Sequence, residues 1–123
     1  MPLTSSFNDT LKRRLKRDPT FRRSLLSEAL EVLLGGEISL ARLLLRDYIN
    51  GAVTFPKLAA ATKIHVKTLH QMFGPNGNPT ANNLFEIIGC LQRAEGVRFE
   101  VRPVPVGRLG KRRQPSRRTK RAA

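Results

Sequence analysis

The chain has no tryptophan, one tyrosine and one cysteine among its 123 residues, and aromatics make up only 6%. A chain so composed builds a small aliphatic core and leaves no room for a large apolar substrate pocket. The lone Cys90 cannot close an intramolecular disulfide and fits a reducing compartment. No apolar run approaches the roughly 18 residues that span a bilayer, and Met1 to Asp9 carry neither the positive stretch nor the apolar run of a leader. A cytoplasmic chain with no membrane association is therefore expected. Acidic residues are scarce as well: nine against 23 Lys and Arg, giving a net charge of +14. That imbalance exceeds what solubility requires and points to a polyanionic partner, with nucleic acid first and an anionic membrane surface second.

The charge is unevenly distributed. Lys12, Arg13, Arg14, Lys16, Arg17, Arg22 and Arg23 form one cluster, and Lys111, Arg112, Arg113, Arg117, Arg118, Lys120 and Arg121 form another. Between Ser24 and Pro105 there are eight basic and seven acidic residues, so the middle of the chain is nearly neutral. This divides the sequence into a basic N-terminal arm at 1–19, a domain at 20–105 and a basic tail at 106–123. From Gly107 onward only Leu109 is large and apolar, too little to offset the entropy of ordering, so a disordered tail is expected. The arms suit phosphate contacts driven by counterion release. A membrane-surface helix over 12–17 is disfavoured, because only Leu11 and Leu15 interleave the cations.

The middle reads as all-α, a compact body of five helices. Phe21, Leu25, Leu26, Ala29, Leu30 and Leu33 fall at helical spacing between an Asp18-Pro19 start and a Gly35-Gly36 stop. A second helix runs from Ile38 through Ala41, Leu44, Leu45, Tyr48 and Ile49, ended by Asn50-Gly51, residues that tolerate a left-handed backbone. Thr54 then caps a short helix over Phe55 to Thr62, and Lys63-Ile64-His65 turns into another from Val66 to Phe73. Gly74 to Pro79 breaks the helix, Thr80 caps a last one carrying Leu84, Ile87, Ile88 and Leu91, and Gly96 closes it. Val97 to Arg102 alternates apolar and polar with period two, which predicts one short C-terminal β-strand. Its partner would be Leu3 to Phe7 or the same strand of a second copy, and the second choice implies a homodimer.

Two short helices joined by a tight turn are the feature that carries function. Leu58, Ala59, Thr62, Ile64, Leu69 and Met72 have the spacing that fills the crossing of two such helices. Val66, Lys67, His70 and Gln71 are then left to point outward from the second helix. The sequence here resembles the lambda-repressor-like helix-turn-helix superfamily, and more closely the antidote proteins of bacterial toxin-antitoxin addiction modules and their free-standing regulator relatives. The resemblance rests on Leu58-Ala59, Thr62-Lys63-Ile64, Leu69, Gly77-Asn78-Pro79-Thr80, Leu84-Phe85 and Gly96-Val97, and spans about Leu25 to Val101. The chain departs from the family in having Lys63 where the turn usually carries Gly, which demands a left-handed backbone from a residue with a Cβ, and in its basic arms.

The resemblance implies that the helix from Val66 to Phe73 enters the major groove of double-stranded DNA. Lys67 would then donate to guanine O6 or N7, and Gln71 would pair with adenine N6 and N7. His65 would cap the helix or contact a phosphate, and Thr54, Lys57, Asn78, Thr80 and Asn82 would make positioning contacts to the backbone. The expected function is a dimeric, autoregulatory transcriptional regulator, reading a palindrome with half-sites about 34 Å apart. The alternative is an antitoxin that neutralises a small RNA-cleaving toxin and represses its own operon. A third reading, nonspecific RNA or nucleoid binding through the arms, lacks the stacking aromatics such binders use. Neither enzyme, metal nor cofactor is expected. His65 and His70 lie about 140° apart on one helix and cannot share an ion. Cys90 has no activating neighbour in sequence, the Gly74 to Pro79 loop lacks the Lys and Ser or Thr of a phosphate cradle, and Glu28 with Glu31 reads as a solvated face.

Overall fold

The computed structural model of the chain describes residues 3–107. Six α-helices run in order: α1 (Leu3–Arg17), α2 (Pro19–Leu34), α3 (Ile38–Tyr48), α4 (Phe55–Thr62), α5 (Val66–Met72) and α6 (Ala81–Glu95). Among the described residues no helix is long and apolar enough to cross a membrane. The body is all-helical, as its periodicity predicts, but with one helix more than the five expected and without the strand.

The extra helix is α1, which occupies most of the segment read as a basic N-terminal arm. Its inner edge is Leu15, fully buried, and half-buried Leu11, while Lys12, Arg13, Lys16 and Arg17 face outward. Asp18 separates α1 from α2 and caps the latter: its carboxylate accepts the Phe21 N–H at 3.1 Å, with Pro19 supplying a fixed φ at the first helical position. That hydrogen bond foremost, and then Arg14, whose Nε donates to the carboxylate at 3.4 Å, hold the Asp18 carboxyl below its ordinary pKa. The Arg14 guanidinium lies 4.2 Å from the centroid of the Phe21 ring, closing the same corner.

Helices α2 and α3 form a hairpin around Gly35–Glu37. The α3 face that carries Ala41, Leu45 and Tyr48 is buried against Leu26 and Ala29. The expected stop at Asn50-Gly51 is not there, and neither residue uses the left-handed backbone it tolerates. Instead the helix widens into a π-helical turn over Ile49–Val53, and the positive φ falls four residues later at Thr54, with φ 84. Gly51 is needed for a different reason: any Cβ at this position would overlap the Leu15 side chain, so its absence lets α1 lie directly on the turn.

Where α6 ends, Glu95 is buried and joins three helices at one carboxylate. Arg22 Nε donates to both its oxygens at 2.8 and 3.0 Å, Arg23 Nε donates at 3.3 Å, and the buried Tyr48 hydroxyl donates as well. Arg22 also donates to the Leu15 carbonyl, which ties α1 into the same cluster. Arg22 of the N-terminal cluster is thus largely withdrawn from solvent into an internal ion pair, while Arg23 pairs with the same carboxylate from the surface. Burial pushes the Glu95 carboxyl up, but Arg22, Tyr48 and Arg23 together outweigh it and hold the group below its usual range. Burial, and then the neighbouring carboxylate, raise the Tyr48 hydroxyl.

Beyond Gly96 the chain is extended without a ladder. The alternation read as a strand is docking onto the body: Val97 and Phe99 are half-buried, and the Phe99 N–H donates to Gln92 Oε1 at 2.8 Å. Val101 is 80% exposed. Leu3 to Phe7 lies in α1, so neither strand proposed for the pairing exists among the described residues. The tail cations Lys111 to Arg121 lie outside them.

Candidate nucleic-acid interface

Helices α4 and α5 and the turn between them build the candidate surface. Thr54 opens α4, its hydroxyl accepting the Lys57 N–H at 3.4 Å, with Pro56 in the first turn. Inside the pair, Leu58 and Leu69 are fully buried, Thr62 and Met72 nearly so, and Ala59 and Ile64 are half-buried and packed on the core. All six residues assigned to the crossing are at least half-buried.

Thr62 organises the turn through both its hydrogen-bonding capacities. Its hydroxyl donates to the Leu58 carbonyl at 2.8 Å and accepts the Ile64 N–H at 3.3 Å. Lys63 then adopts the left-handed conformation anticipated from its position, φ 65 and ψ 21, and its N–H donates to the Ala59 carbonyl. His65 caps α5: its Nδ1 accepts the Lys67 N–H at 3.2 Å, which leaves Nε2 as the ring's donor.

The outer face of α5 differs in part from the expected one. Lys67 and Gln71, 40° apart by helical geometry, are both exposed and form the centre of that face. Exposed Thr68 flanks them, a residue not among those singled out in the sequence, although the same wheel places it beside Gln71. His70 is exposed on the opposite flank, with its ring centroid 4.4 Å from that of Phe55, so it braces α5 against the start of α4. Val66 is a correction: it is half-buried against the core, since it lies three residues before Leu69 on the inner side.

The loop after α5 folds back on it. Gly77 donates its N–H to the Gly74 carbonyl at 3.0 Å. A Cβ at Gly77 would collide with the Met72 and Gln71 carbonyls, so only glycine permits this approach. Arg42 of α3 donates to the Pro75 carbonyl at 3.4 Å and steadies the loop from behind. Between loop and helix runs an open groove of about 670 Å³, whose polar lining includes Lys67, Thr68, His70, Gln71, Asn76 and Asn78. No carboxylate lines it.

The other predicted contacts lie at helix starts. Lys57 is exposed in the first turn of α4 and Thr54 is half-buried at its cap. Thr80 caps α6, accepting the Asn83 N–H at 3.1 Å, and Asn82 is exposed in the turn that follows. Lys67, His70, Gln71 and Asn78 are thus brought to one groove, while Thr54, Lys57, Thr80 and Asn82 are set at the starts of the helices on either side of α5 in sequence. Among the described residues no group of three or more His, Cys, Asp or Glu could hold a metal, and Cys90 is buried. Comparison of the chain with protein-family models, with curated proteins and with solved structures found no match.

Proposed function

We propose that the chain is a sequence-specific DNA-binding transcriptional regulator that works through a helix-turn-helix of the lambda-repressor-like type, formed by α4 and α5, and acts on its own promoter. The observation that carries this reading is the outer face of α5. Lys67, Thr68 and Gln71 are exposed together beside a groove free of carboxylates, on a helix held by Thr62, His65 and Phe55. A rigid helix with donors and acceptors on one arc is what base-edge recognition in the major groove requires. In this reading Lys67 donates to guanine, Gln71 pairs with adenine, and Thr54, Lys57, Asn78, Thr80 and Asn82 contact phosphates. The cations of α1 add charge that favours any DNA sequence equally.

The test is fluorescence anisotropy of the full chain against DNA from upstream of its own gene, with scrambled DNA as competitor, at about 0.05 and 0.2 M salt. The upstream fragment should win by about a thousandfold or more at the higher salt, and Lys67→Ala with Gln71→Ala should erase that preference. Equal binding of both fragments, or an unchanged preference in the double variant, refutes the reading.

A second reading, antitoxin activity, is favoured by a different observation. Leu34, Ile38, Leu40 and Leu43 are large, apolar and exposed around the α2–α3 hairpin, a surface suited to a protein partner such as a small toxin. The reading fails if no small adjacent reading frame is toxic when expressed alone.

A further inference from the structure

Helix α1 and the end of α3 enclose a second, smaller pocket of about 360 Å³, lined by Asn8, Leu11, Lys12, Arg46, Asp47 and Asn50. Leu11 is its only apolar wall. Two cations and two carboxamides meet one carboxylate there, a set that suits neither a metal ion nor an apolar ligand but suits an oxyanion. No carboxylate lies within salt-bridge distance of Lys12 or Arg46 among the described residues; Asp47 acts on Arg46 through space only.

The pocket's position narrows the choice of anion. Asn50 belongs to the π-helical turn, and that turn delivers the chain to Thr54, whose N–H donates back to the Ile49 carbonyl. The pocket therefore sits one helical turn before the start of α4. The helix backbone that carries Lys12 is anchored, because three residues later Leu15 is seated on Gly51 and its carbonyl is held by Arg22. A cation carried on an anchored helix loses less entropy on binding than one on a loose arm.

We propose that this pocket is a phosphodiester-binding site that grips the DNA backbone next to α4, with Arg46 and Lys12 as its cations and Asn8 and Asn50 as neutral donors. The proposal rests on the DNA-binding reading above and adds a built contact that the sequence did not single out. Arg46 is the residue that distinguishes a pocket from a merely basic helix, since it comes from α3 and not from the N-terminal cluster.

The test measures DNA binding of the full chain and of Arg46→Gln, Lys12→Gln and Asp47→Asn, each with its fold checked by circular dichroism. Removing one phosphate contact lowers the slope of log affinity against log salt by about 0.9, so Arg46→Gln should lose about 3.5-fold less affinity than the native chain over a fourfold rise in salt. Its preference for one sequence should be unchanged. Asp47→Asn, which removes the opposing charge, should bind about twofold or more tightly than the native chain. With single neutral methylphosphonate linkages walked along the backbone flanking the half-site, one position should weaken the native chain and leave Arg46→Gln unaffected. An unchanged salt slope for Arg46→Gln, equal effects of every linkage on both proteins, or an Asp47→Asn affinity no higher than native overturns the proposal. Loss of binding to phosphatidylserine vesicles without loss on DNA overturns it also. If no duplex is preferred over scrambled DNA, the base-reading conclusion fails, and the salt slopes of the native chain and Arg46→Gln on that scrambled DNA still decide the pocket.

Discussion

Glu95→Gln isolates the internal ion pair, because the substitution keeps the shape and removes only the charge. In the native chain the carboxylate receives Arg22, Arg23 and Tyr48, and its side chain is only 2% exposed. Glutamine presents one acceptor oxygen to three donors, and its amide nitrogen must face at least one of them. Uncoupling a buried pair in this way costs about 3 kcal/mol, a large share of the roughly 5–15 kcal/mol that holds a domain folded. With about 2 cal/mol/K of unfolding entropy per residue, the melting temperature should fall by about 14 °C. Urea unfolding followed by circular dichroism measures the change, at an unaltered m value. Glu100→Gln is the control: its pairs with Arg98 and Arg102 are exposed, and its effect should stay within about 0.5 kcal/mol. The sign of the pH dependence follows from the same geometry. A carboxyl held below its unfolded pKa contributes fully above that unfolded value, near 4.5, and its contribution vanishes as pH falls through the lower folded value. Native stability should therefore drop below about pH 4.5 more steeply than that of Glu95→Gln. A Glu95→Gln chain no less stable than Glu100→Gln would refute the reasoning.

Three further outcomes follow from other parts of the fold. Lys63→Gly relieves a left-handed residue with a Cβ, a strain of about 1–2 kcal/mol offset by greater freedom when unfolded, and should raise stability by about 0.5–1 kcal/mol in the same urea experiment. Gly77→Ala drives a methyl into the Met72 and Gln71 carbonyls and should lower stability by about 1–3 kcal/mol while weakening DNA binding, both read on one preparation by melting and anisotropy. Deleting Lys111 to Ala123 should reduce affinity and salt slope and leave the preferred sequence unaltered; complete loss of binding would make the tail the principal binding element instead.

The parts of the fold legible in the sequence are those whose determinants are local. Asp18-Pro19, Thr54 and Thr80 announce helix starts by their own side chains, and the crossing of α4 with α5 follows from six residues within one short segment. Lys63 was readable as left-handed because it stands where the turn of the resembled superfamily usually carries Gly. What escaped has a longer reach. The inner edge of α1 is reduced to Leu11 and Leu15 amid cations, and it becomes a packing face only because Gly51 lies opposite. Glu95 has no local partner to reveal it, since Tyr48 and Arg22 are 47 and 73 residues away. Residues 97–102 mimic a strand because a segment lying along a helix also buries alternate side chains. On the candidate interface, Val66 reads as outward from the spacing of the crossing residues, but its position three residues before Leu69 packs it partly on the core, and Arg46 lies outside both charge clusters.

The seating of Leu15 on Gly51 makes two distant positions share one volume. Neither can be read as a free choice of side chain, for whatever one gains the other must surrender. Among descendants of this chain, a methyl at position 51 should appear only where position 15 has shrunk, or where α1 has come away from the body. A survey of variants would thus report the docking of the first helix through a correlation between a leucine and a glycine, with no charged residue involved.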